Sequence, residues 1–163
     1  IVASHFDAHQ HVHLWPQLSH TLLSLAAEHS IDAVRATDAE GFTPRAVAVR
    51  GLSALFDRRV RRSGFVAPAA SRGFDDAGKL SLPNLVRTID GLGALRGSSA
   101  EIGSHPGLAD DPDRARYDWG YSWSEEFDAL CSPAALDAVR RNGFELGTFA
   151  DLKQHGEVHR AGD

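Results

Sequence analysis

Apolar and polar residues alternate at the start of the chain. Across residues 2–14 that period of two predicts a β-strand, which Trp15-Pro16 stops. The period then changes. Leu18, Leu22, Leu25 and Ala26 recur at helical spacing, so 17–29 reads as a helix. Ile31 to Arg35 reads as a second, short strand. After a loop over Ala39 to Pro44, residues 45–62 read as a helix that turns strongly basic toward its end, and 65–68 as a short strand. Residues 69–83 are loop-rich. Further helical patterns cover 82–95, 124–130 and 133–142, with Gly143 as the C-cap of the last. A strand at 101–104 enters His105-Pro106-Gly107, and a polar loop follows to about Tyr121. Residues 144–148 read as a last strand and 149–155 as a short final helix. Strand and helix in alternation predict an α/β fold, with parallel strands joined by crossover helices. No linker or internal repeat interrupts the 163 residues, so 1–163 reads as a single domain.

Charge and composition narrow the function classes. The formal net charge of −5 argues against a general nucleic-acid binder, which needs a basic face. No apolar run approaches the roughly 20 residues of a membrane helix. The first residues lack the charged and apolar regions of a signal peptide. A single cysteine, Cys131, excludes an internal disulfide and fits a reducing, cytoplasmic compartment. The chain opens on Ile1 and holds no methionine, so a processed or cut N-terminus is expected.

Candidate chemistry concentrates in FDAHQHVHLWP, residues 6–16. On a strand, alternate side chains share a face, which would line up Asp7, His9, His11 and His13, together with His5. A row of imidazoles is expensive to bury without partners and natural where a divalent cation takes the lone pairs. The bland alternative is a surface strand of solvated histidines. His105, at a strand end, is a candidate general acid or base, since its ordinary pKa lies near about 6.5. Structurally it could be only a turn residue set by Pro106 and Gly107. Arg35 closes the second strand and could meet an anionic or hydroxyl-rich substrate. Glu101, at the start of its strand, reads as less well placed to reach the same site. Asp75, Asp76, Asp110, Asp111 and Asp113 read as loop residues, and Arg58, Arg59, Arg61 and Arg62 as a basic helix end that suits the dipole. Trp119, Tyr121 and Trp123 could stack on sugar rings or pack as a core or interface cluster. His155 and His159 read as solvated tail residues.

Four blocks carry a family resemblance: FDAHQHVHLWP, IDAVR, AEIGSHPG, and EEFDALCSPAALDAVRRNGFELGTFADL. Their order and spacing resemble the C-terminal half of the YdjC/ChbG family of carbohydrate deacetylases, including its hopanoid-biosynthesis branch. The resemblance runs from about residue 5 to about residue 152. It implies a TIM-barrel-like (β/α) fold, here incomplete. It also implies a divalent cation, Mg or Zn, held by one aspartate and two histidines, and hydrolysis of an N-acetyl group on an amino sugar, glycan or glycolipid. By motif, His9 is the foremost metal ligand, with His11 and His13 beside it. His105 is the acid that protonates the leaving amine, and Asp7 and Arg35 are substrate contacts. The sequence departs from the family pattern in lacking the N-terminal adjacent aspartates and the Gly-Leu-His block. Trp123 also stands where a basic residue is expected before Glu126. The expectation is therefore about half an enzyme, with a weak metal site, exposed strand edges and a tendency to dimerise. Two other readings stay open. One is a TIM-barrel amidohydrolase using Asp-x-His-x-His, for which Asp151 would have to close the metal site. The other is a non-catalytic metal-binding module.

Overall fold

Phe6 is the residue that ties the first segment into a ladder. Its amide donates to Ala33 O (3.1 Å), and the amide of Arg35 donates back to Phe6 O (3.2 Å), which makes one parallel rung. On the other side, Val34 N donates to Val66 O and Val66 N to Asp32 O, both at 2.9 Å. Three parallel segments thus lie side by side, and the chain between them is helical. The computed structural model describes residues 2–94, 99–117 and 119–154. His155 and His159 lie outside the described residues.

Helix α1 is Pro16–Glu28 and α2 is Pro44–Arg62. Each has proline in its first turn, where the missing N–H costs nothing. Thr43 caps α2 by accepting from the Ala46 amide at 3.1 Å. The α1 stripe read from sequence is rotated. Ser19, Leu23 and Ala26 are buried, whereas Leu18 and Leu25 are each 46% exposed. The cause lies on α2. Arg59 is no free helix-end charge but donates to Pro16 O (2.9 Å) and to the Ser19 hydroxyl, which draws the Ser19 face inward.

Strands β1 (Ala70–Arg72) and β2 (Ala100–Ile102) pair with each other. β1 falls in a stretch expected to be loop, because three residues are too few for a period to register. The rest follows the expected order: α3 (Leu82–Gly93), α4 (Trp123–Cys131), α5 (Pro133–Arg141) and α6 (Phe149–Gln154). Gly143 takes φ +74 just past α5, as its place in the sequence requires. Residues 144–148 form no strand; the segment runs irregularly into α6, where Asp151 accepts from the Thr148 amide and hydroxyl. No described helix is long and apolar enough to cross a membrane.

The chain divides into two compact units. Unit 1 comprises Ile1–Ser71, Gly97–Glu101 and Gly147–Asp163, and its core gathers Leu14, Leu23, Val34, Phe56 and Val60. Unit 2 comprises Arg72–Arg96 and Ile102–Leu146, with Leu80, Leu85, Ile89, Ala129, Ala135 and Ala138 at its centre. In unit 2, Arg141 on α5 donates to both carboxylate oxygens of Asp90 on α3 at 2.8 Å. The α/β class with parallel strands is borne out, although each ladder is short.

Candidate functional site

The histidine segment is not a strand. His9–Leu14 winds as 3₁₀ turns around Gln10 (φ 52) and His11 (φ 57). Left-handed backbone at two successive residues with side chains is costly and persists only where surroundings hold it, often at functional sites. The period-two reading therefore fails for a physical reason. Once the backbone turns left-handed, alternation no longer puts Asp7, His9, His11 and His13 on one face.

What the turn achieves is burial of one imidazole beside another. His13 is 1% exposed, and neither of its ring nitrogens has a hydrogen-bond partner. It packs against Phe6 and Phe56, and the His11 ring lies 6.0 Å away, edge-on. Burial first, then the neighbouring His11 and Arg35, push the His13 imidazole down to about 4. Its ring is thus neutral at pH 7, and its lone pair is uncommitted. His11 Nδ1 sits 3.1 Å from the Thr37 hydroxyl. Thr37 in turn lines a cavity of about 410 Å³, together with Asp38, Ser53, Asp57 and Arg61. His9 is exposed on the first turn, and His5 stacks on Phe149 at 3.9 Å. Two adjacent imidazoles, one with bare nitrogens, suit a divalent cation chemically. Among the described residues, however, no three His, Cys, Asp or Glu side chains gather to hold one.

Asp7 and Arg35 meet by a route that the rung at Phe6 dictates. Because Arg35 N binds Phe6 O, the Arg35 side chain reaches Asp7, and its Nη1 donates to Asp7 Oδ2 at 2.7 Å. Its Nε lies 2.5 Å from Glu101 Oε1. Glu101, set aside in the sequence reading, is the partner that was missed; an acidic residue heading an apolar strand was the available signal. Burial pushes Glu101 up to about 7, against the pull of Arg35. The reason is visible in its second oxygen, Oε2, which is buried without a hydrogen-bond partner. Burial also acts to raise Asp7, but the hydrogen bond and charge of Arg35 outweigh it and hold Asp7 below the usual carboxylate range.

His105 belongs to unit 2, where Glu126 fixes its backbone. Glu126 is fully buried on α4 and accepts from the His105 amide (2.5 Å) and the Leu80 amide (3.1 Å). The His105 ring meets Tyr121 edge-on at 4.9 Å, and its Nδ1 is buried without a hydrogen-bond partner. The sequence carried a signal for Glu126 too: it shares the buried face of α4 with Ala129, three residues on. Asp151, which the amidohydrolase reading needs as a ligand, caps the turn into α6.

Parallel rungs joined by helices define an α/β protein, and the neighbouring imidazoles of His11 and His13 lie on the segment that follows its first rung. The YdjC-like protein family model matches residues 1–141, and the chain belongs to that family. It is 27% identical to the chitooligosaccharide deacetylase of Enterobacter sp. (strain 638), over 91% of this chain and 53% of the relative. It is 25% identical to the chitooligosaccharide deacetylase of Proteus mirabilis (strain HI4320), over 91% of this chain and 52% of the relative. The crystal structure of an Enterococcus faecalis V583 protein described as a cellobiose-phosphate cleavage protein superposes with a TM-score of 0.69 at 19% identity, over 91% of this chain and 52% of that one. The chain spans about half the length of these proteins.

Proposed function

We propose that this chain carries part of the machinery of a carbohydrate deacetylase that hydrolyses the N-acetyl group of an amino sugar within a glycan, on a TIM-barrel-like fold. The observation that carries the reading is the family match over residues 1–141, with curated relatives named chitooligosaccharide deacetylase. In the reaction, water adds to the acetyl carbonyl carbon, the C–N bond breaks, acetate departs, and the amine takes up a proton. His105 is assigned as the donor of that proton on its motif, and the anchoring of its amide by Glu126 supports a fixed position for it. Asp7, with its side chain 38% exposed, is assigned to sugar hydroxyls, and Arg35 holds its carboxylate in place. A divalent cation would be held by His11 and His13, without His9, which is not gathered with them; the bare nitrogens of His13 support this, and imidazole donors suit zinc better than magnesium. When bound, such an ion supplies Lewis-acid activation for hydrolysis.

The test is acetate release from N,N′-diacetylchitobiose with Zn²⁺ or Mg²⁺ supplied. The expected outcome is measurable release, abolished by His105→Ala and reduced together with metal content by His13→Ala. Release that is unchanged in His105→Ala, or absent with every cation, would overturn the reading for this chain.

A further inference from the structure

We propose that Tyr117, Trp119, Tyr121 and Trp123 form a stacking platform, next to His105, for the pyranose rings of an N-acetylated oligosaccharide. The proposal rests on the deacetylase reading and adds a binding subsite to it. All of these residues belong to unit 2.

The rings form one continuous group. Tyr117 meets Trp119 at 5.4 Å, Trp119 meets Tyr121 at 5.8 Å and Trp123 at 5.6 Å, and Tyr121 meets Trp123 at 5.0 Å. A core cluster would be buried. Here Tyr117 is 51% and Trp119 50% exposed, although each touches other rings. The rings are tilted against one another by 43–76°, so they do not cover each other's faces as a flat stack would. About half of the surface of Tyr117 and of Trp119 is left for something else to cover.

The group is also built in. A Cβ on Gly78 would fall 2.1 Å from the Tyr121 ring, so only glycine admits that ring, and Ser122 N donates to Gly78 O at 2.7 Å. Gly107, the last residue of the His105-Pro106-Gly107 block, lies close against Trp123: a Cβ there would be a tight 3.1 Å from the Trp123 Cβ, and Gly107 N donates to Trp123 O at 3.0 Å. The backbone of the histidine block is therefore shaped around the aromatic residues, and Tyr121 touches the His105 ring itself.

The ligand chemistry follows. A pyranose presents an apolar C–H face and a hydroxyl-bearing rim. Its face suits an indole or phenol ring, through dispersion and weak C–H contacts, while its rim stays in water. One sugar covers one ring, whereas a chain of sugars covers several in succession. The platform should therefore favour oligomers over the monosaccharide and seat them beside His105.

Tryptophan emission tests this without needing turnover. The chain holds three tryptophans, and Trp15→Phe removes the one that lies in unit 1. Titration of that variant with tetra-N-acetylchitotetraose should give a saturable shift, with N-acetylglucosamine binding far more weakly. Adding Trp119→Ala should weaken oligomer binding by about tenfold, the loss of one stacking contact, while Trp119→Phe retains most of it. Should Trp119→Ala lose its circular dichroism, Tyr117→Ala takes its place with the same expectation. No saturable shift, equal affinity for monomer and tetramer, or unchanged affinity in the alanine variants would overturn the platform. Saturable binding without acetate release would sink the deacetylase reading and leave the platform standing. Acetate release with the same oligomer KM in Trp119→Ala would do the reverse.

Discussion

Two carboxylates, one buried and one half-buried, solve the same problem in different ways. Glu126 is fully buried and has no cationic partner among its hydrogen bonds, yet each of its oxygens accepts a backbone amide. Glu101 has an arginine on one oxygen and nothing on the other. Glu126 thus acts as a strut between Leu80 and His105. Glu126→Gln keeps the shape, but its single carbonyl can serve only one of the two amides. The other would be left buried and unpaired, at a cost of about 1–3 kcal/mol. Urea unfolding should register that loss, and a variant as stable as the parent would contradict the strut. At this scale the sequence reading found the residues but not their partners. Asp7, Arg35 and His13 stand among the candidate residues of the sequence, and the fold sets Asp7 against Arg35 and buries His13. That His13 is buried against Phe56, and that Arg35 is shared between Asp7 and Glu101, depends on contacts across 43, 28 and 66 residues of chain, which no local pattern encodes.

The helices were the most legible elements, because their signals are local. Proline in the first turn, Ser or Thr before it and a glycine after the last turn mark α2 and α5. Thr43→Ala removes the side-chain acceptor of the Ala46 amide and should cost about 1 kcal/mol. Thr43→Ser should restore most of it, and equal thermal midpoints for all three proteins would show that the cap contributes nothing. The strands were read less well. Residues 2–14 alternate convincingly, yet only Phe6 is bridged, because the left-handed turn at Gln10 and His11 takes over three residues later. β1 is the converse: a real strand of three residues in a stretch that reads as loop.

For the molecule as a whole, His13 and Glu101 set opposing pH dependences. Free histidine titrates near about 6.5, whereas His13 in the fold titrates at about 4. As pH falls from 6.5 toward 4, the unfolded chain takes up a proton that the folded one refuses, and stability drops. Glu101 holds its proton up to about 7 when folded, against an ordinary value of 4.5, so its contribution is lost as pH rises from 4.5 through 7. Each effect amounts to about 3 kcal/mol at full extent, and between them the slopes largely cancel. In the presence of a chelator, Glu101→Gln should therefore lose stability on acidification more steeply than the parent. His13→Gln should lose it as pH rises. Superimposable stability–pH profiles for the three proteins would refute both assignments.

What the sequence by itself determined is what short-range chemistry can determine: the α/β class, the family blocks and the six helices found among the described residues. Helix periods, caps and motif spacing all act within a few residues, so they survive in one dimension. The tertiary structure alone decided which face of α1 turns inward, that the histidine segment coils, and that Glu101 and Glu126 serve the candidate residues. Each of those outcomes follows from a distant partner: Arg59 on Ser19, Phe56 against His13, Arg35 between two carboxylates, and the amides of Leu80 and His105 on one buried carboxylate. Burial sets the cost of a polar group, and only the folded chain defines burial.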